Sequence, residues 1–497
     1  MSDERRNRQP NRRRTSAPQG SGDARRTAQR GPTRTVQPAR RVAFDVLRAV
    51  SETDAYANLV LPTAIAEAGL TPQDAALATE LTYGTLRRLG TYDAIIAAAA
   101  DRATDSIDPA VLDALRLAVH QLLATRVASH AAVNESVNLV ATTSGRGASS
   151  FANAVLRRIT RDSAETWQER IEQQARSDDE RLALRSAHPV WVIRALRRAL
   201  AAEGRGEELE ALLEADNASP EVTLVALPGL AEPGEPRLPY APTAFASPGG
   251  DPRRAVEASG GTVRVQDEGS QLVALTLAAA APITAGERWL DLCAGPGGKT
   301  ALLAAIALEH DDVTLEANEV VPVRARLVRK ALRAVPSEVV VHEQDGREFA
   351  AARPGEFDRI LVDAPCTGLG ALRRRPEARW RKSPADVAEL VPLQVELLTA
   401  ALDALAPGGI VAYVTCSPHL AETTGVVREV LRERTDIVEL DARAAIADVA
   451  LAPIDLAEEG RAGSGSAQLW PHRHGTDAMF LALLQRSATV NTSGKED

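Results

Sequence analysis

The stretch "DLCAGPGGKT", Asp291 to Thr300, decides how the second half of this chain is read. It holds three glycines, one proline and a Lys-Thr ending. A phosphate-cradling Walker loop needs Gly-x4-Gly-Lys-[Ser/Thr], so that successive backbone N–H groups wrap the phosphate. With Gly298-Lys299-Thr300 at the end of that pattern, glycine is required at 293, where the chain has Cys293. A dinucleotide fingerprint, Gly-x-Gly-x-x-Gly, fits Gly295 and Gly297 and fails at Thr300. What remains is a strand ending at Asp291-Leu292, a tight glycine turn and a helix opening at Lys299. Such a turn lets backbone approach a ligand closely, and it suits an adenosine-type cofactor.

From Thr262 onward strand-like and helical patterns alternate. The strand-like runs are "ERWLDLC", "DVTLEANE", "EVVVHEQD", "FDRILVDAP", "GIVAYVTCS" and "AMFLALLQR"; helices are expected over Lys299–Leu308, Val323–Ala334 and Leu393–Leu405. This alternation predicts a doubly wound, mostly parallel sheet. Ligands of such sheets bind outside the carboxyl ends of the strands, so the residues just past each strand matter most. The second strand ends in "ANE", where Glu319 can accept hydrogen bonds from ribose hydroxyls. The third ends in "EQDG", and Asp345 there is expected at the adenine rim. Acids at strand ends are common, and neither carries the reading alone. Their register with the glycine turn does.

The fourth strand ends "VDAPCTGLG", with Asp363, Pro365 and Cys366. The fifth ends "YVTCSP", with Cys416. If these strands are neighbours, both thiols sit over one carboxyl edge beside the cofactor cleft. The chain has three cysteines. They form no disulfide framework and no Cys-x-x-Cys zinc spacing. Two thiols beside an adenosine cofactor suggest covalent catalysis on cytosine. Its C5 is a poor nucleophile until a thiolate adds to C6. A base must then take the C5 proton so that the thiolate can leave.

The first half reads differently. From about Pro38 to Glu165 the pattern is helical, as in "RRVAFDVLRAV" with Val42, Val46 and Val50 at i, i+4 spacing. "DPAVLDALRLAVHQLLAT" opens on an acid and a proline, a helix-start signature. Residues 166–261 read as a small connecting α+β module, with a helix near Glu207–Ala215, a strand at "EVTLVAL" and a Pro/Gly-rich loop from Pro228 to Pro252.

Net charge is −9. The first forty residues nevertheless carry about a dozen Arg and very few acids. Such a segment cannot fold alone, so 1–37 is expected to be a disordered basic tail. No apolar run could span a bilayer and no secretory signal is visible, which gives the expectation of a cytoplasmic protein with no membrane partner. His472 and His474 lack the partners of a metal site, and none is expected.

Two resemblances sharpen this reading. "SHAAVNESVNLV" followed by "FANAVLRRI" resembles the RNA-binding helical domain of the NusB family. "QDEGSQLVA", "LDLCAGPGGKT", "DAPC" with "RRRPEARW", "TCS" and "LWPHRHGTDAMF" occur in the order of the NOL/NOP/Sun family of RNA cytosine-C5 methyltransferases. Together they cover about residues 38–490 and resemble the bacterial small-subunit rRNA branch. The resemblance implies a class I methyltransferase, a Rossmann-like doubly wound sheet over 262–490, preceded by a NusB-like domain over 38–165. It implies S-adenosylmethionine as cofactor and 16S rRNA as partner, with cytosine 967 the family assignment, and a monomer is expected. Cys416 falls on the nucleophile and Cys366 on the thiol that assists release. Asp363 would favour the adduct at the cytosine ring edge. Cys293, Ala294, Gly295, Pro296, Gly297, Gly298, Lys299, Glu319, Asp345 and Asp363 fall on the cofactor-binding positions. DNA cytosine methyltransferases use the Pro-Cys thiol, so the second thiol favours RNA. Arg373, Arg374 and Arg375, beside the Cys366 loop, are expected on RNA phosphates, with Trp380 packing nearby. Ala421, Thr423 and Ala478 depart from the family's commoner residues. A tRNA-directed relative and a non-catalytic RNA-binding or antitermination factor remain alternatives.

Overall fold

The computed structural model describes residues 36–53, 55–457 and 465–488. Apart from Val36 and Gln37, the basic segment 1–37 lies outside them. These described residues form one compact unit. Among the described residues no helix is long and apolar enough to cross a membrane.

The front of the chain is helical: Pro38–Thr53, Ala57–Glu67, Pro72–Arg87, Leu89–Ala100, Pro109–Ala124, Ser129–Thr143 and Gly145–Ile159. Their apolar faces share one core, in which Val42, Val46 and Val50 are buried. The start read at "DPAVLD" is real. Pro109 opens the helix, and the Asp108 carboxylate accepts the N–H groups of Ala110 and Val111, two of the donors a helix start leaves open. Trp167 and Ile171, on the helix Ala164–Glu172, also enter this core, so the helical packing continues past 165.

A small sheet follows. Its strands are β1 (Thr223–Ala226), β2 (Ala244–Ala246) and β3 (Val263–Val265), in the order β2-β1-β3, all antiparallel. β2 lies inside the stretch 228–252 expected to be loop. Its three residues are all buried, with Phe245 opposite Leu224, and this burial overrides the surrounding prolines and glycines. β3 lies just past 261.

The large sheet comprises β4 (Arg288–Asp291), β5 (Thr314–Asn318), β6 (Val340–His342), β7 (Phe357–Asp363), β8 (Leu405–Thr415), β9 (Ile437–Leu440), β10 (Ala467–Gln468) and β11 (Phe480–Arg486). The order is β10-β11-β8-β7-β4-β5-β6, with β9 also on β11. Strands β4 to β8 pair in parallel and β11 is antiparallel to β8. This is the doubly wound, Rossmann-like architecture expected. Successive β7 residues serve opposite cores, Leu361 on one face and Ile360 and Val362 on the other, as a strand covered on both faces requires. The chain runs outward from β4 through β5 to β6, then returns to β7 on the other side of β4. The switch in strand order therefore lies between β4 and β7.

The crossover into β8 is longer than the Leu393–Leu405 expected. It spans Pro384–Ala404. Ser383 and Asp386 close its start reciprocally as a capping box. Pro392 lies within the helix without ending it.

The segment Leu372–Lys382 locks the helical domain onto this sheet. A side chain on Gly90 would come within 2.1 Å of the Trp380 ring. Arg381 donates to the carbonyl of Ala55 at 2.6 Å. Arg379 is fully buried and donates to the carbonyls of Arg87, Ala187 and Asp216 and to Asn217 Oδ1. Burial lowers its pKa to about 10, still cationic at neutral pH. Replacing it by Met keeps much of the volume and orphans those acceptors. Arg379→Met is expected to lower unfolding free energy by about 3 kcal/mol, measured by urea denaturation.

Candidate active site

The glycine turn follows β4. Gly297 has φ of 101°, and a Cβ there would lie 2.7 Å from Ala331 Cβ. The helix Pro322–Leu332 thus rests directly on the turn. A Cβ on Gly295 would lie 2.2 Å from Glu319 Oε2. Glu319 uses that room: its carboxylate accepts from Gly295 N at 3.0 Å and Val321 N at 2.9 Å. Oε2 also pairs with Arg324 at 3.4 Å, so Oε1 is the oxygen that keeps a lone pair for a ligand hydroxyl. Asn318 links neighbouring strand ends, donating to Leu292 O and Gln344 O.

Asp291, at the top of β4, accepts from Thr300 Oγ1 at 2.7 Å, while its other oxygen is buried without a partner. Burial pushes its pKa up to about 7. Lys299 reaches across to Asp363 Oδ2 at 2.8 Å. Burial works against the ammonium charge, but the Asp363 carboxylate outweighs it and the pKa rises. Cys293 packs against the sheet core. Burial, with Asp291, Asp363 and Glu319 nearby, pushes its thiol far up, leaving it a poor nucleophile.

The two remaining thiols meet. β7 and β8 pair in parallel with Asp363 opposite Val414, and Cys366 Sγ lies 3.4 Å from Cys416 Sγ. Gly370 holds the first loop against the second. Its N–H donates to Cys416 O and its carbonyl accepts from Ala478 N, both at 2.8 Å. A Cβ on Gly370 would lie 2.2 Å from Ala478 O. The thiols are electrostatically unequal. The hydrogen bond from Cys366 lowers the Cys416 pKa, aided by Arg375 and Lys299 and opposed by burial and Asp363. The same bond, with burial, raises Cys366 well above the ordinary thiol value. Cys416 is thus the more readily ionised thiol of the two.

Other expected residues fall differently. Asp345 sits at the end of the β6 segment, where it caps the helix Gly346–Ala351 through Arg347 N and pairs with Arg347 at 2.6 Å. Arg373 and Arg374 do not present their charges to RNA. Arg373 is buried, donating to Gly475 O at 2.9 Å, and Arg374 bonds Asp477 and Asp267. The reason is two buried carboxylates, Asp267 and Asp477, which need these cations. Arg375 is exposed and stacks on the Tyr56 ring of the helical domain, 5.3 Å from its centroid. His472 faces Glu208, while His474 accepts from Trp470 N.

Two buried side chains at the thiol loops carried no expected role. Gln394 donates to Pro365 O at 2.8 Å, and Glu422 accepts from Thr367 N at 2.8 Å and Ser417 Oγ at 2.7 Å. A Gln in mid-helix gives no local sign of this. For Glu422 the available sign was an acid shortly after Cys416.

With this geometry established, relatives can be compared. Residues 278–485 match the family described as 16S rRNA methyltransferase RsmB/F, and residues 37–161 match the NusB family. A putative methyltransferase of Mycobacterium tuberculosis (strain H37Rv) is 50% identical over 470 residues, covering 92% of this chain and 98% of the relative. Ribosomal RNA small subunit methyltransferase B of Vibrio cholerae is 32% identical, covering 85% of this chain and 92% of its own length. The protein of the same name from Pseudomonas syringae is also 32% identical, over 92% and 98%. The solved structure of PH0851 shares the fold, with a TM-score of 0.75 at 22% identity over 91% of this chain and 99% of that one. Matched along nearly its whole length by relatives named ribosomal RNA small subunit methyltransferase B, and by the two family models over 37–161 and 278–485, the chain belongs to the 16S rRNA methyltransferase RsmB/F family.

Proposed function

We propose that this enzyme methylates C5 of a cytosine in small-subunit rRNA, through a covalent bond between Cys416 and C6 of the base. We take cytosine 967 of 16S rRNA as the target, as the sequence resemblance implies. The observation that carries the reading is the pair of unequal thiols, 3.4 Å apart, beside the glycine turn.

The methyl donor is S-adenosylmethionine, and the residues present fit it. The turn offers backbone close to the ligand, Glu319 Oε1 keeps a lone pair, and Asp291 keeps an unpartnered buried oxygen beneath the turn. The residues that would hold it are Cys293 to Lys299, Glu319, Asp345 and Asp363. When bound it supplies an electrophilic methyl group.

The chain's own residues do the rest. The target base is unpaired or swung out of its stack, since a thiol cannot reach C6 within a helix. Cys416, held as thiolate, adds to C6 and makes C5 nucleophilic. Asp363, steadied by Lys299, faces the ring edge and favours the adduct. Once C5 carries the methyl group, its proton leaves to a base and the C6–S bond breaks. Cys366 loses its partner when Cys416 bonds to carbon, and its thiol is then placed to assist release. Arg375, exposed near Cys416, is the one residue of the expected basic trio suited to an RNA phosphate.

Cys416→Ala, incubated with unmodified small-subunit rRNA and labelled S-adenosylmethionine, is expected to be inactive and to form no protein–RNA adduct. Cys366→Ala is expected to accumulate that adduct, visible as a denaturant-resistant shift on a gel. Full activity in Cys416→Ala would sink the reading. Mapping the methylated base in the same assay names the target.

The pH profile gives a second test. The Cys416 pKa is lowered, so kcat/KM rises with pH and levels off below the ordinary thiol value. Arg375 helps lower it. Arg375→Gln is therefore expected to move the rising limb to higher pH, and an unmoved limb would contradict the thiolate assignment.

A further inference from the structure

Glu422 is 0% exposed and lies between the two cysteine loops. Its Oε1 accepts from Thr367 N at 2.8 Å and from Gln394 Nε2 at 3.2 Å. Its Oε2 accepts from the hydroxyls of Thr367, at 2.5 Å, and Ser417, at 2.7 Å. Thr367 follows Cys366 and Ser417 follows Cys416. One carboxylate thus ties together the residues next to both sulfurs. Gln394 completes the brace by donating to Pro365 O on the other side of Cys366. No Arg, Lys or His forms an ion pair with Glu422 among the described residues. Two N–H donors and two hydroxyls converge on this carboxylate, which as an acceptor can serve all four.

A buried negative charge without a cation is costly to keep, and its position gives it an effect. The brace is heavier on the Cys366 side: Glu422 takes two bonds from Thr367, and Gln394 adds one to Pro365, against one from Ser417 beside Cys416. A carboxylate held there disfavours a thiolate at Cys366, whose pKa is raised. The other charged and titratable groups facing the pair are Asp363 at the end of β7, Lys299 on the helix Gly298–Ala307, Arg375 on the loop after Cys366, and Tyr413 on β8. His419, on the loop after Cys416, faces Glu422 itself.

We propose that Glu422 is a positioning residue: it sets the spacing of the two sulfurs and biases the proton between them toward Cys366, so that Cys416 is the nucleophile. The inference rests on the two-thiol reading above.

The test uses the full-length protein without RNA or S-adenosylmethionine. Limiting iodoacetamide is added at neutral pH, and initial labelling of Cys366 and Cys416 is read by peptide mass spectrometry. The wild type is expected to label first at Cys416. In Glu422→Gln the Cys416-to-Cys366 ratio is expected to fall on the order of fivefold, somewhat less than one pKa unit of bias. In the methylation assay its kcat is expected to fall on the order of tenfold, about 1.4 kcal/mol of barrier, with KM for rRNA unchanged. A wild-type labelling ratio, or a wild-type kcat, overturns the proposal. Thermal unfolding checks that the variant folds. Should Glu422→Gln not fold, Glu422→Asp decides. It keeps the charge but is too short to hold both Thr367 and Ser417, so labelling order should persist while kcat falls, and a wild-type kcat overturns the tie. Cys416→Ala, run in parallel, separates the failures. Full activity there defeats the two-thiol reading, whereas the labelling ratio judges Glu422 without reference to methylation.

Discussion

The parallel pairing of β7 with β8 is the constraint on which the active site depends. Parallel strands end at the same edge of a sheet, and they need a long crossover between them. Here the crossover is the helix Pro384–Ala404. With Asp363 opposite Val414, the two chains leave the sheet side by side, and sulfurs fifty positions apart come to 3.4 Å. An antiparallel pairing would carry Cys416 to the far edge. A one-residue slip would turn the alternating core residues of β8 to the wrong faces. The core that fixes the register, with Ile360, Val362, Val411 and Tyr413 on one side, therefore fixes the chemistry.

Two identical side chains are made unequal by what surrounds them. Cys416 feels Lys299 and Arg375, which lower its pKa, while Cys366 feels Glu422, which raises it. Lys299 is itself held by Asp363, so its charge is shared between the cofactor side of the cleft and the thiol side. The glycine turn and the cysteine loops are in this sense one electrostatic unit, although separate strands supply them.

The parts of this arrangement that show in the sequence are those that local chemistry dictates. The glycine turn, the acids at strand ends and the two Cys motifs each need particular residue types at particular spacings. That the two Cys-bearing strands are neighbours was a condition of the sequence reading, and β7 pairing with β8 meets it. What stayed hidden depends on distant partners. Arg373 and Arg374 read as a basic patch because Asp267 and Asp477, which neutralise them, lie about a hundred residues away. The helix expected from Leu393 begins instead at Pro384, behind the capping box at Ser383, and runs through Pro392. β2 reads as loop because its signal is burial against Leu224 and not its own composition. Gln394 and Glu422 are ordinary polar residues until the fold places both against the cysteine loops.

The segment Leu372–Lys382 leaves one consequence. It begins a few residues beyond Cys366, anchors to Asp267 and Asp477 through Arg374, and ends in the helical domain through Arg379, Trp380 and Arg381. Glu377 adds a bond to the backbone N–H of Ala57 at 3.0 Å. The helical domain is therefore mounted on the wall of the catalytic cleft and not hung from a tether. Whatever that domain grips stands at a set distance from the sulfur pair. The junction works as a ruler: it fixes the distance from any point on the helical domain to the sulfur pair.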